Sequence, residues 1–370
     1  MKSTMLFLAA LCVLIPVYEV SAKEVAGKRG KPTRPGDGPD CGYGVRPKKA
    51  RGLRVWITGS AADACASPTG PGVLLMGGGT DVDDAFSNRV RPRIDGGDAV
   101  VLRTSGSNGY NDYLDPLVQS DSVETLLVDS RSKANSTYVD WVVRSAEFVF
   151  IAGGDQSDYL NTWQGTALAD ALQHVYDKGG IIGGTSAGNA VQGELIYDPD
   201  GVPGAYSSEA VSDACHPYIQ LSNRLLDAPL MDGVITDTHF YERNRLGRLI
   251  AFMAVADTHG ISPTMTNPLG VGVDEATALF IDYDGFARVD GDGYVYVNRF
   301  DSQTILSQVQ CGAPVRVFDV LSVRLGDGDY YDFADQSHNG SALGVDVDGA
   351  SCAIDFTEQE SCFYTPANPY

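Results

Sequence analysis

From Leu53 the chain repeats one unit: a short apolar run rich in β-branched residues, a turn that usually carries glycine, then an amphipathic stretch. The apolar runs fall at 53–58, 72–76, 98–102, 124–128, 148–152, 180–183 and 233–236. Helical spacing fills several intervals, at 81–90, 138–145, 166–178 and 242–256; in the last, Leu246, Leu249, Ile250 and Met253 share one face. Apolar strands alternating with helices indicate a mostly parallel sheet covered on both faces. The expected fold class is therefore α/β, with a catalytic α/β domain over 53–284. Ligands of such sheets bind beyond the carboxyl ends of the strands, so the turns that follow strands are where chemistry is expected.

The flanks read differently. Beyond about Val271 short strands alternate with Asp/Gly turns, and 285–370 is expected to be a β-rich C-terminal region. Asp290-Gly291-Asp292-Gly293 lacks a calcium-loop ligand array and reads as a tight turn. Lys2, the apolar run Met5–Val17 and the small residues Ser21 and Ala22 read as a signal peptide over 1–22. Residues 23–52 form a Gly/Pro-rich basic arm. Ten basic residues stand against Glu24, Asp37 and Asp40 in 23–54, whereas the chain from Val55 onward carries 16 basic and 44 acidic residues. The arm either docks on the acidic body, or serves as a removable pro-segment through the dibasic Lys28-Arg29.

The charge of −21 excludes nucleic acid as a partner of the body, since phosphate neutralisation needs Lys and Arg. No apolar run reaches the ~20 residues of a membrane span, so no membrane partner is expected in the mature form. Cys41, Cys65, Cys215, Cys311, Cys352 and Cys362 remain after signal removal, an even set that suggests disulfides in a secreted or periplasmic protein. No pair has C-x-x-C spacing, and neither metal nor cofactor is expected. Asn135-Ser136-Thr137 and Asn339-Gly340-Ser341 fit the glycosylation sequon.

One turn is most informative. Ile181-Ile182-Gly183-Gly184 is an apolar strand, Ala187 can open a helix, and Ser186 stands between them with glycines on both sides. This is a nucleophile elbow, which presents a hydroxyl above the sheet and leaves the Ala187 N–H for a developing oxyanion. A serine nucleophile needs a base. Of five histidines, His239 alone directly follows an apolar strand, 234–238. The orienting carboxylate is best sought at Glu275, after the strand 270–274, with Asp237 a nearer neighbour in sequence. The order Ser, His, Glu differs from the Ser, Asp/Glu, His order of α/β-hydrolases.

Phe148-Val149-Phe150-Ile151-Ala152 runs into Gly153-Gly154-Asp155-Gln156. Gly154 can supply a second oxyanion N–H; Gln156 can contact substrate. Asp155 is a candidate substrate contact or a plain helix cap. Thr185, beside the serine, is a further substrate-binding candidate. Arg243, Arg245 and Arg248 suit either a carboxylate substrate or ordinary salt bridges on an acidic protein.

Taken together, Phe150-x-x-Gly153-Gly154-Asp155-Gln156, Gly183 to Gly188, the block Asp237-x-His239-Phe240 with Arg243, Arg245, Arg248 and Leu249, and Gly270-x-Gly272-x-Asp274-Glu275 resemble the serine peptidase family of cyanophycinase and aspartyl dipeptidase. The turn Met76-Gly77-Gly78-Gly79 resembles that family's first glycine turn, and the likeness covers about 72–280. It implies a three-layer αβα fold like class I glutamine amidotransferases, a Ser186–His239–Glu275 triad, an acyl-enzyme, and cleavage of peptides or polypeptides next to aspartyl residues, including a β-Asp-Arg polymer. Thr238 stands where family cyanophycinases usually carry Gln, a departure that bears on β-Asp-Arg specificity. A homodimer is a candidate assembly. The rival reading is a secreted binding protein that keeps the fold without turnover.

Overall fold

The computed structural model describes residues 41–261, 268–351 and 362–370. Six strands open the chain: β1 Arg54–Gly59, β2 Gly72–Met76, β3 Asp98–Arg103, β4 Ser122–Leu127, β5 Phe148–Ile151 and β6 Ile181–Thr185. They lie in the order β1-β4-β3-β5-β6-β2. From β4 to β2 every pairing is parallel, while β1 joins the edge antiparallel. Helices α1 Asn111–Val118, α2 Arg131–Ala134, α3 Thr137–Ser145, α4 Gln156–Trp163 and α5 Ala167–Asp177 connect them. The strands and the helices α3 and α5 are the alternation legible in the sequence; α1, α2 and α4 are added. The N-cap of α4 is Asp155, whose carboxylate accepts from Ser157 N–H at 2.9 Å.

The second half departs from the expectation of one sheet. After α6 Ala187–Ala190, β7 Leu195–Tyr197, α7 Ser207–Ser212, β8 Leu221–Asn223, β9 Val234–Thr238, α8 Leu246–His259 and β10 Leu269–Val273, the strands β7 to β10 belong to another sheet, in which β9 pairs parallel with β7 and β10. A buried apolar strand carries no mark of which neighbour it will pair with, so 234–238 could not be assigned from its residues.

The later strands are β11 Thr277–Ile281, β12 Phe286–Gly291, β13 Val295–Arg299, β14 Ile305–Gln308, β15 Arg316–Leu325, β16 Tyr330–Asp332, β17 Ser341–Asp348 and β18 Tyr364–Thr365. They extend both sheets. β11, β12 and β16 continue the first beyond β2, all antiparallel; β13, β15, β17 and β18 continue the second beyond β10, with β14 on the flank of β15. The region after Gly285 is thus rich in strands, but these strands complete sheets begun earlier. Each sheet has nine strands among the described residues.

Alternation distributes side chains between layers. Phe148 and Phe150 join Phe86, Ile94 and α1 on one face of the first sheet. Val149, Ile151, Val73 and Leu279 face the other way, into one apolar cluster with α3 to α5 and with Val273, Val295 and Val323 of the second sheet. The far face of the second sheet is covered by α7 and α8, whose residues from Leu246 to Ala256 are all buried.

The described end of the basic arm is docked. Arg46 pairs with Glu124, both nearly fully buried, and lies over the rings of Tyr138 and Trp141. Trp141 donates to the Tyr43 carbonyl at 3.0 Å, and a disulfide joins Cys41 to Cys65. A second disulfide joins Cys215 to Cys311, and Cys362 is disulfide-bonded as well. The signal segment 1–22, the arm up to residue 40 and Cys352 lie outside the described residues.

Candidate active site

Ser186 follows β6 with φ +52° and ψ −119°, a conformation strained for any residue bearing a Cβ. The flanking glycines make the turn possible by close approach. A Cβ on Gly184 would lie 2.3 Å from the Gly188 carbonyl oxygen, and one on Gly188 would lie 2.0 Å from the Ile151 oxygen. The Ser186 hydroxyl lies 2.8 Å from His239 Nε2, and His239 Nδ1 lies 2.6 Å from Glu275 Oε1. Ser186 comes from the first sheet. His239 follows β9 of the second, and Glu275 stands in the turn between β10 and β11, where the chain passes back to the first sheet.

The joint between these elements is the turn 76–79. The Met76 carbonyl accepts from Ser186 N–H at 3.1 Å and from Asn189 Nδ2 at 3.1 Å. The Gly77 carbonyl accepts from His239 N–H at 2.9 Å, and the Gly78 carbonyl from Ala276 N–H at 3.0 Å. Gly78 has φ +102°, and a Cβ there would lie 2.4 Å from His239 Cε1; a Cβ on Gly79 would lie 2.8 Å from Glu275 Oε2. These glycines let backbone pass against the imidazole and the carboxylate. Their sequence signal is a glycine run directly after an apolar strand.

A cavity of about 310 Å³ opens at Ser186 and His239. Of the residues picked out from sequence, Gly154, Asp155, Gln156, Ala187, Asp237, Arg243, Arg245 and Arg248 line it. Thr185 lies behind the wall, only 5% exposed. Thr238, noted from sequence, lines it too, with Ala190 and Thr236; Tyr197, Pro199, Val202 and Gly204 of the lining belong to a segment without a recognisable motif and could not be found from sequence. A larger cavity of about 410 Å³, by Pro229, Tyr283 and Phe333, holds none of these groups.

The charged lining divides into committed and available groups. Arg248 grips Asp237 with both arms of its fork, at 2.7 and 2.6 Å, with both side chains buried. Arg245 donates to the Thr238 carbonyl at 2.7 Å and approaches Asp237 at 3.3 Å. Burial opposes ionisation of Asp237, yet Arg248 and Arg245 hold its carboxyl below the usual range. Burial, reinforced by Arg248, pulls Arg245 down to about 9, which leaves it charged at neutral pH. Arg243 is exposed at the cavity, and its guanidinium has no side-chain partner among the described residues. His239 is held below its ordinary value first by burial, then by Arg243 and Arg245, against the opposing pull of Glu275. A neutral imidazole at neutral pH suits a general base.

Residues 118–289 match the sequence model of Peptidase family S51. This stretch, just under half of the chain, is similar to that family. Among curated proteins, this chain is 32% identical to a cyanophycinase of Synechococcus elongatus over 56% of its own length and 60% of that protein's. It is 28% identical to a cyanophycinase of Nostoc sp. over 57% of its length and 65% of the relative's. The chain therefore spans less than two thirds of each of these curated relatives. The crystal structure of a peptidase from an acI-B1 Actinobacterium aligns with 72% of this chain and 98% of its own, at 18% identity and a TM-score of 0.44.

Proposed function

We propose that this chain is an exported serine peptidase that cleaves peptides or polypeptides beside aspartyl residues through an acyl-enzyme. The carrying observation is the unbroken relay from Ser186 Oγ to His239 Nε2 and from His239 Nδ1 to Glu275, at 2.8 and 2.6 Å. Ser186 Oγ attacks the scissile carbonyl as His239 takes its proton. Glu275 holds the tautomer with Nδ1–H and stabilises the imidazolium that forms. The N–H groups of Gly154 and Ala187 face the developing oxyanion, an interaction typically worth about 3–4 kcal/mol per donor. Collapse expels the amine, protonated by His239, and leaves an ester on Ser186. Water, deprotonated by His239, then releases the acid.

Substrate charge supports the same reading. Arg243 at the cavity suits a carboxylate side chain next to the bond broken, with Gln156 and Asp155 beside it, while Arg245, Arg248 and Asp237 give the wall its fixed charge. The amidotransferase-like arrangement implied by the resemblance belongs to this proposal, as does export, for which the apolar N-terminal run and the disulfides speak.

The test offers cyanophycin, β-Asp-Arg dipeptides and α-aspartyl peptides in parallel to the wild type and to Ser186→Ala, with products read by mass spectrometry. Cleavage of at least one substrate is expected, lost by more than about a thousandfold in Ser186→Ala, with an unchanged Tm. Undiminished cleavage by the variant refutes the nucleophile. No cleavage by the wild type favours a binding protein on this fold.

A further inference from the structure

The first turn of an α-helix leaves backbone N–H groups without acceptors. Helix α8 begins directly after Arg245, whose side chain cannot accept a hydrogen bond, yet its first three N–H groups each meet a hydroxyl. Leu246 N–H donates to Tyr370 Oη at 3.1 Å, Gly247 N–H to Tyr364 Oη at 2.7 Å and Arg248 N–H to Ser207 Oγ at 3.1 Å. All three hydroxyls then donate to one residue. Tyr370 and Tyr364 reach Asn244 Oδ1 at 2.8 and 3.0 Å, and Ser207 reaches the Asn244 carbonyl. Asn244 sits at φ +46° between Arg243 and Arg245, and His239 at the other end of the same loop also has φ +46°. The Tyr370 ring packs at 5.4 to 6.2 Å against Tyr241, Tyr296 and Phe240. Tyr364 and Tyr370 lie about eighty residues beyond the stretch that matches the S51 model.

We propose that Tyr364 and Tyr370 are positioning residues for the cavity's cations: their hydroxyls, with Ser207, clamp Asn244 and the start of α8, and so set where Arg243 and Arg245 stand relative to His239. The proposal rests on the peptidase reading for its meaning in catalysis, but the clamp is a property of the folded chain. Without the tyrosine hydroxyls, Leu246 and Gly247 lose their acceptors and Asn244 Oδ1 loses two donors, while Ser207 still holds the Asn244 carbonyl, so the clamp loosens at the arginines. His239 is held separately, through its own N–H, by Gly77.

The test is Tyr364→Phe, Tyr370→Phe and the double variant in the full chain, since loss of the hydroxyls alone leaves the rings to pack. The first readout is the NMR titration of the His239 imidazole, identified by its loss in His239→Asn. The groups facing that imidazole are Ser186 from the first sheet, Glu275 from the turn before β11, and Arg243 and Arg245 from its own loop; the 76–79 turn brings only backbone. Retreat of the arginines relieves their repulsion, so the titration midpoint is expected to rise in the double variant. The second readout is kinetic: KM for an aspartyl substrate should rise about five- to tenfold with kcat within about twofold. A folded double variant with an unmoved midpoint overturns the clamp, even if its Tm falls. Should the wild type cleave nothing, the peptidase reading fails while the titration still decides the clamp; either single variant serves if the double does not fold.

Discussion

At the scale of single residues, the site is a matter of which charges are already spent. Arg248 and Asp237 neutralise each other inside the wall, and Arg245 leans on the same carboxylate and the Thr238 carbonyl. Arg243 is left to meet solvent or substrate, and it also depresses the imidazole it stands near. A base whose pKa is lowered stays neutral to lower pH, so the acid limb of kcat/KM should fall below the ordinary histidine value of about 6.5. Arg243→Gln removes one repulsive charge, and the acid limb of its pH profile is expected to move upward, with KM for an acidic peptide rising as well. A profile that stays in place would show that Arg243 does not sense the imidazole.

At the scale of elements, the decisive piece is the four-residue turn after β2. It carries none of the reacting groups, yet its carbonyls hold the backbone at Ser186, His239 and Ala276. Gly78→Ala adds a methyl at φ +102° against the imidazole edge, so strain and displacement act together. Activity should drop by about a hundredfold or more, because small misplacements of a reacting group cost on that order, while far-UV circular dichroism stays native. Wild-type turnover by this variant would mean that the turn gives way without moving His239. The run of glycines was visible as a turn beforehand. What it touches was not, because its partners lie more than a hundred residues away in sequence.

At the scale of the whole molecule, the acidic body leaves buried carboxyls that prefer to keep a proton. Asp98, nearly buried at the start of β3, is pushed up to about 7 by burial, against hydrogen bonds from Ser122 Oγ at 2.5 Å and Ala64 N–H at 3.0 Å, with Glu147 adding repulsion. Burial likewise raises Asp274 to about 7. An unfolded aspartate titrates near 3.9, so between roughly pH 4 and 7 the folded chain binds protons that the unfolded chain does not, and stability contributed by these groups falls as pH rises through that window. The Tm is expected to be higher at pH 5 than at pH 8, with Asp98→Asn narrowing the gap. An identical gap in the variant would exclude Asp98 as a source.

By itself the sequence determined local pieces: the strands β1 to β6, the helices α3 and α5, and the glycine-flanked turn at Ser186; it also offered His239 and Glu275, which the fold brings within hydrogen-bond reach in a row from Ser186. Local pieces are legible because backbone propensity, apolar period and glycine placement act over a few residues. Tertiary structure alone decided that β9 and β10 lie outside the first sheet, that the strands after Gly285 complete both sheets, that Thr185 is buried off the cavity lining, and that two tyrosines near residue 370 cap the helix that follows Arg243 and Arg245. Pairing between buried strands and the meeting of distant hydroxyls with orphan N–H groups depend on the packed whole, and an apolar run looks the same whichever neighbour it will bond.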